Sequence, residues 1–159
     1  MIKPTSQGSG LTIDPAIFTK LYELDISKHV ETRPSGGNFT ASYLSWSVAT
    51  LLLKQHLPEV MVDFDKSEEN GVVFVHSNQA YIMPFLTDGI HRTPSIFFPV
   101  MDNRFNAIDR PDVRAISDAC QRGAVKAIAQ FTGLGLVLYT GEEIGKKFPD
   151  TPEYREAKK

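Results

Sequence analysis

The stretch from Arg110 to Gly135 constrains the fold most, because it predicts one long helix with contrasting faces. Charged residues recur along it at every fourth position: Arg114, Asp118, Arg122 and Lys126. Residues four apart share one face of a helix, so these side chains form a mostly cationic stripe. The other positions include many small residues. Gly123 lies in mid-helix, where glycine is costly, which indicates close approach by a strand or a neighbour.

Shorter helices are predicted nearer the N-terminus. Asp14 is a candidate N-cap with Pro15 at the first helical position, which indicates a short helix from there. The stretch 31–42 contains Pro34 and two glycines and predicts a loop or a loose hairpin. A second helix is predicted at about Ser42–His56, with Ser42 as its cap.

Four segments rich in Val, Ile, Phe and Tyr lie between the second helix and the long one: VMVDF, GVVFVHS, AYIMPFL and SIFFPVM. They are separated by turn-forming residues and predict an antiparallel β-meander of three to four strands. Pro84 and Pro99 place two of these strands at edges or bulges. The expected fold class is therefore α+β, with the meander packed against the long helix.

The 159 residues suffice for one domain with its own core. We expect a flexible arm over residues 1–13, a single domain over 14–145 and a mobile tail over 146–159. The polar N-terminus lacks the apolar core of a signal peptide, and the apolar runs are too short to span a membrane. These features predict a cytoplasmic protein that does not contact membranes.

Charge is segregated along the chain although its formal net value is only −2. From Arg104 to Gly133 there are five basic and three acidic residues, a local charge of +2. From Glu59 to Asn70 there are five acidic residues and one basic residue, a local charge of −4. This distribution is typical of a molecule with one binding side, and binding to nucleic acid would have to use a local patch.

Catalytic chemistry has little support in the sequence. The single cysteine, Cys120, lies among small apolar residues and is expected to be a buried, inert thiol. Four scattered histidines show no triad order, and no phosphate-binding glycine loop is present. The strand phenylalanines are expected in the core, whereas Tyr43 and Phe105 lie near loops and are candidates for stacking on bases. We expect no cofactor and no catalytic residue.

Several stretches together resemble the phage-type single-strand DNA annealing proteins of the Sak and Erf kind: LDISKHVE, YLSWSVATLLLKQHLP, FPVMDNRFNAI and DACQRGAVKAIAQFTGLGLVLYTGEE. This group is akin to the eukaryotic Rad-fifty-two annealing protein. The resemblance covers about Leu24 to Ile144. Its most specific parts are the SYLSW start of the second helix and the pattern R-x3-K-A-x-A-x-F-x-G-L-G at the end of the long one.

The resemblance implies a non-enzymatic protein of homologous recombination that acts as an oligomeric ring or filament in the bacterial host. It implies a cationic groove for single-stranded DNA, and an exonuclease and a single-strand DNA-binding protein as partners. By position, Arg122 and Lys126 would line the groove, followed by Arg114. The remaining candidate DNA contacts are three arginines in loops: Arg33, Arg104 and Arg110.

The sequence also departs from the family pattern. Relatives often carry an adjacent basic pair where Gln121–Arg122 stands here, and a basic residue early in the SYLSW helix. That helix start is uncharged in this chain, so Arg33 in the preceding loop is the nearest candidate for a second wall of the groove.

Two other functions fit parts of the sequence. A double-stranded RNA-binding module also has a helix, three strands and a helix, with basic residues at the start of the last helix. Here the first turn of that helix carries Asp112, which disfavours this alternative. A Mg²⁺-dependent nucleic-acid enzyme would use the acidic cluster of residues 63–69, which contains Asp63, Asp65, Glu68 and Glu69.

Overall fold

The structure is a computed structural model that describes residues 10–34 and 40–140. Within this part of the chain the α-helices are α1 (Pro15–Glu23), α2 (Trp46–His56) and α3 (Val113–Thr132). The strands are β1 (Val30–Pro34), β2 (Thr40–Leu44), β3 (Met61–Phe64), β4 (Phe74–His76), β5 (Gln79–Ile82), β6 (Pro84–Thr87) and β7 (Phe98–Pro99). Short 3₁₀ helices occupy Ser27–His29 and Leu136–Tyr139. The predicted α+β class is confirmed, with antiparallel strands packed on a long C-terminal helix.

The long helix α3 has well-defined ends. Asp112 caps its start, because its side-chain oxygen accepts a hydrogen bond from the Ala115 N–H at 2.8 Å. Gly133 ends it with a left-handed φ of 86°. A Cβ on Gly133 would lie 2.6 Å from the Phe18 carbonyl oxygen, so α1 packs closely against this end of the helix. The predicted N-cap of α1 is also confirmed, since Asp14 accepts from the Ala16 N–H at 2.7 Å.

Gly123 lies where α3 crosses the strands. A Cβ there would be 2.8 Å from Ile82 Cδ1 and 3.3 Å from Phe98 Cγ. The first distance is too short for a normal carbon contact and the second is tight, so a larger residue would force the Ile82 side chain to move, and glycine lets the helix approach the strands closely. The predicted close approach at this position is confirmed.

The strands form three small antiparallel sheets within the described residues: β1–β2, β3–β6 and β4–β5–β7. The predicted meander is therefore divided, because the chain leaves one sheet after β5 and joins another at β6, with Met83 between them. Pro84 begins β6, which pairs only with β3, and Pro99 lies in the edge strand β7. Both prolines thus occupy edge strands, as predicted, where a missing N–H breaks no central ladder.

The predicted start of α2 is wrong by four residues. Ser42 belongs to β2, where it pairs with Thr32 of β1 in an antiparallel hairpin. The cap is Ser45, whose hydroxyl accepts a hydrogen bond from the Val48 N–H at 3.3 Å. Because of this pairing, β2 continues through Leu44, and α2 begins only at Trp46. Of the two forms predicted for 31–42, a loop or a loose hairpin, the described residues on its two sides show the hairpin.

The core consists of two clusters that share α3. The larger one lies among α1, α2, β6 and the last half of α3, and contains Leu21, Leu53, Leu86 and Ile128. The smaller one lies between β5, β7 and the first half of α3, around Ile82 and other buried residues. α3 therefore connects the two halves of the fold.

Near the N-terminus, the Leu11 N–H donates to the Arg92 carbonyl at 3.0 Å, so residues 10 and 11 lie against the body of the domain. The rest of the predicted arm, over residues 1–9, and the predicted tail over 146–159 lie outside the described residues. None of the described helices combines the length and apolar character needed to cross a membrane.

Candidate nucleic-acid interface

A cavity of about 330 Å³ lies between the β1–β2 hairpin and α3, and we call it the hairpin–helix pocket. Its walls include two arginines and five aromatic residues: Arg33, Tyr43, Trp46, Phe98, Phe105, Arg122 and Tyr139. The pocket thus combines two guanidinium groups with five aromatic rings. Its volume is at the lower end of the range typical of small-molecule sites.

Three neighbours hold the Arg122 side chain in the pocket lining. Its Nη1 donates to the Met101 carbonyl at 3.0 Å and to Asp118 Oδ2 at 3.3 Å. Its guanidinium carbon lies 5.9 Å from the centre of the Phe98 ring, within the range of cation–π attraction. The Asp118 pair spans one turn of α3, as the four-residue spacing predicts. These contacts fix the orientation of Arg122 before any ligand arrives.

Arg33 lines the pocket from β1 of the hairpin. In the hairpin register it faces Ala41, which makes Tyr43 its diagonal neighbour on the same face. Its guanidinium lies 4.5 Å from the Tyr43 ring centre, and Nη1 donates to Asn103 Oδ1 at 3.0 Å. The structure therefore brings Arg33 and Arg122 to one pocket, although 89 residues separate them in the sequence.

The turn over residues 102–106 supports one rim of the pocket. Asp102 Oδ1 accepts from the backbone N–H groups of Asn106 and Arg104, and these bonds lower the pKa of Asp102 below its ordinary value. Phe105 lies at the tip with a left-handed φ of 67° and a side chain that is 52% exposed. A non-glycine residue with positive φ is uncommon, and here it coincides with a ring presented at the pocket.

Two further rings at the pocket are about half exposed to solvent. Trp46, the only tryptophan of the chain, is 51% exposed, and Tyr139 is 50% exposed. Partial burial raises the pKa of Tyr139 above its ordinary value although the charge of Arg122 opposes this, so its hydroxyl stays protonated at neutral pH. Exposed aromatic groups that cluster on one side of a domain mark an interaction site.

The other predicted cations surround this site to different extents. Lys126 follows Arg122 by one turn of α3, and its Nζ lies 5.8 Å from the same Phe98 ring. It borders the pocket without lining it. Arg104, Arg110 and Arg114 are exposed and do not line the pocket. The structure thus brings Arg33 and Arg122 into one pocket with Lys126 one helical turn away, whereas Arg104 lies in the rim turn without lining the pocket, and Arg110 and Arg114 are not part of the lining either.

The residues considered for catalysis are dispersed. Asp65 pairs with Arg92 at 2.8 Å, and Asp63 lies 3.7 Å from Lys66. Among the described residues, no group of three or more His, Cys, Asp or Glu side chains is arranged to hold a metal ion. Cys120 is only partly buried, and this burial raises its pKa above the ordinary value, which keeps the sulfur in the less reactive thiol form.

Sequence reasoning missed Trp46 and Tyr139 as members of the site. Trp46 begins α2 and Tyr139 ends the last 3₁₀ helix, so neither carried a sign of exposure in the sequence. An aromatic residue beside apolar neighbours is expected in a core unless the tertiary arrangement is known. For Phe105 and Tyr43, proximity to loops was the available signal.

Residues 16–159 of the chain match the family described as Sak Single Strand Annealing Protein. The match includes every candidate cation named above and all of the hairpin–helix pocket. Comparison with curated proteins gave no significant match.

Proposed function

Because the chain belongs to the Sak single-strand annealing protein family, we propose that it binds single-stranded DNA along α3 and pairs complementary strands without enzymatic chemistry. The family is one of DNA annealing in recombination. The proposed strand-binding surface consists of Arg33, Arg122 and Lys126. Arg114, Arg104 and Arg110 extend its positive field toward the start of α3.

The observation that carries this proposal is that Arg33, from the hairpin, and Arg122, from α3, line the same hairpin–helix pocket. Phosphate groups are bound by guanidinium groups through charge-assisted hydrogen bonds. Both guanidinium groups are oriented by protein contacts, Arg33 by Asn103 and Arg122 by Met101. An arginine that is already oriented loses little freedom on binding, which favours contact with a flexible strand.

Annealing by such a surface requires several copies of it along one DNA strand. The pocket lining has two arginines and one aspartate, a weak positive charge for a single site. A ring or filament of this chain would repeat the surface along the strand, and linked weak sites bind far more tightly than one. Self-association is therefore part of the proposal, and an exonuclease and a single-strand DNA-binding protein are the proposed partners in recombination.

The double-stranded RNA alternative is not favoured by the fold. That module has three strands of one sheet between two helices, whereas here a third helix and three separate sheets lie between α1 and α3 within the described residues. The Mg²⁺ alternative loses its central carboxylate, because Asp65 is engaged by Arg92.

The proposal predicts annealing of complementary oligonucleotides in EDTA and without any nucleotide. The rate should rise with protein concentration and then fall when excess protein coats the two strands separately. Loss of fluorescence from a dye–quencher pair of oligonucleotides measures this rate. A double-stranded RNA competitor should leave the rate unchanged.

Two results would contradict this function. One is a rate equal to spontaneous pairing at every protein concentration. The other is a strict requirement for Mg²⁺ or ATP, which would instead support the enzymatic alternative.

A further inference from the structure

We propose that the hairpin–helix pocket receives one nucleobase of the bound strand, so that each protomer holds the strand by a base as well as by phosphates. This inference rests on the proposed function, because it names a second part of the same ligand. It concerns the aromatic walls of the pocket, which phosphate binding leaves without a role.

The pocket presents a largely aromatic surface. Trp46, Phe105 and Tyr139 come from three separate parts of the chain, and each is about half exposed. Leaving three large rings open to water in one cavity forgoes the free energy of burying them. Flat π surfaces suit a flat ligand, and base–aromatic stacking tolerates every base because each has a π face.

The walls of the pocket also carry charge. Arg33 and Arg122 line the cavity with Asp118 as the acidic side chain beside them. If an apolar segment of a second copy filled the cavity, it would remove water from two guanidinium groups without supplying an anion, which is costly. A nucleotide supplies both parts, since its base can enter among the rings while its phosphates meet the arginines.

Gln121, the residue before Arg122, also lines the pocket. An ammonium or guanidinium group only donates hydrogen bonds, as a phosphate requires. An amide both donates and accepts, as the edge of a base requires. The neutral amide therefore fits a base edge better than it fits a phosphate.

The test compares two ligands with equal charge. One is an oligodeoxythymidine with a fluorescent label, and the other has the same number of phosphates but abasic sugars. We expect the oligonucleotide with bases to bind about tenfold more tightly, as stacking of about one base implies. Quenching of the fluorescence of Trp46, the only tryptophan, should accompany binding of the first ligand and not of the second.

Variants assign the difference to the pocket. Phe105→Ala should reduce the tenfold preference to about twofold or less, whereas Phe97→Ala should preserve it. Phe97 is a matched control, because it is 59% exposed and does not line the pocket. Arg122→Ala should weaken binding of both ligands by a similar factor. Thermal melting and size-exclusion chromatography of each variant verify folding and assembly.

The outcomes are distinguishable. Equal affinity of the wild-type protein for both ligands, with strong binding to each, overturns the base pocket and leaves the annealing function intact. Failure to bind either ligand overturns the annealing function as well. A Phe105→Ala protein that keeps the full preference but changes its oligomeric size shows that a second copy covers the pocket, and this also overturns the inference.

Discussion

Arg92 and Arg122 have neighbours of the same kinds but in different arrangements. The Arg92 guanidinium lies 3.3 Å from the Phe85 ring centre and donates to Asp65 at 2.8 Å and to Ser95 at 2.7 Å. Ser95 in turn donates to Asp65, which closes a network. Arg122 lies farther from its ring, at 5.9 Å, and farther from its aspartate, at 3.3 Å.

The surroundings differ in charge as well. A shallow groove beside Arg92 also contains Lys66, but that cation lies 3.7 Å from Asp63, so each cation in this region has its own acid. Burial alone would raise the pKa of Asp65, yet the bonds from Arg92 and Ser95 outweigh it and lower the pKa. At the hairpin–helix pocket, two arginines face one aspartate. An arginine neutralised by its own network is structural, whereas an arginine near a second cation is suited to bind an anion.

The largest effect is expected from Gly123→Leu, which would damage both regions at once. Even one carbon added at Gly123 would lie 2.8 Å from Ile82 Cδ1, and Phe98 on the pocket side is 3.3 Å away. A leucine should therefore destabilise the fold by about 3 kcal/mol, the upper end of typical overpacking costs. Thermal melting and chromatography would show a lower Tm or loss of folded protein.

Gln130→Leu is the control for this substitution, because Gln130 is exposed on the same helix. It should leave the Tm nearly unchanged. A Gly123→Leu protein with the wild-type Tm and wild-type size would show that the strands are not in close contact with the helix.

The next largest effects are expected from two alanine substitutions, one in each region, which should change different properties of the protein. Arg92→Ala leaves the partly buried Asp65 without its ion-pair partner, so it should reduce stability by about 1–3 kcal/mol and leave DNA affinity unchanged. Arg122→Ala should instead leave stability nearly unchanged and weaken DNA binding. It should lower the affinity for single-stranded DNA about tenfold or more, and reduce the salt slope of log K by about 0.7 for each phosphate that the protein no longer neutralises.

Urea unfolding and DNA titrations at several salt concentrations measure both halves of this pair, and Lys126→Ala should shift the salt slope in the same direction as Arg122→Ala. An Arg122→Ala protein whose affinity and salt slope equal those of the wild type would remove Arg122 from the interface. If Arg92→Ala instead weakened DNA binding at constant stability, the distinction between the two regions would be reversed.

The smallest effect is expected from Asp118→Asn. The Asp118 carboxylate lies 3.3 Å from Arg122 Nη1, so it competes with a DNA phosphate for this guanidinium group. Removing its charge should tighten DNA binding by about twofold to fivefold, in line with the modest strength of exposed ion pairs. The equivalent change in the other region, Asp65→Asn, should not tighten binding. Weaker binding by Asp118→Asn would show that Asp118 serves mainly to orient Arg122.

Much of this fold is predictable from local signals. Asp14 and Asp112 mark helix starts, Gly133 marks a helix end, and Gly123 marks a close approach, because each depends on backbone chemistry within a few residues. The predicted start of α2 is wrong because β1 competes for the residues around Ser42, and strand pairing is not visible in a local window. Phe97 is exposed although phenylalanines of the predicted strands are expected in the core, since it precedes β7 and packs its ring only on Tyr81 at the surface, 4.5 Å between ring centres.

The candidate site is predictable only in part for the same reason. The stripe with Arg122 and Lys126 follows from helical spacing alone. Its combination with Arg33, Trp46 and Tyr139 depends on how the hairpin folds over α3, and 106 residues separate Arg33 from Tyr139. No local pattern encodes which distant side chains will share a cavity.

The contact between Phe18 and Gly133 has a consequence for how the chain matures in the cell. These residues are 115 positions apart, and α3 supplies apolar side chains to both core clusters. On the ribosome, α1, the hairpin and most strands emerge well before α3 is synthesised, at about 5–20 residues per second. During those seconds their apolar faces have no cover. The domain therefore completes its folding late, and nascent chains stalled before Val113 should be the forms most dependent on chaperones.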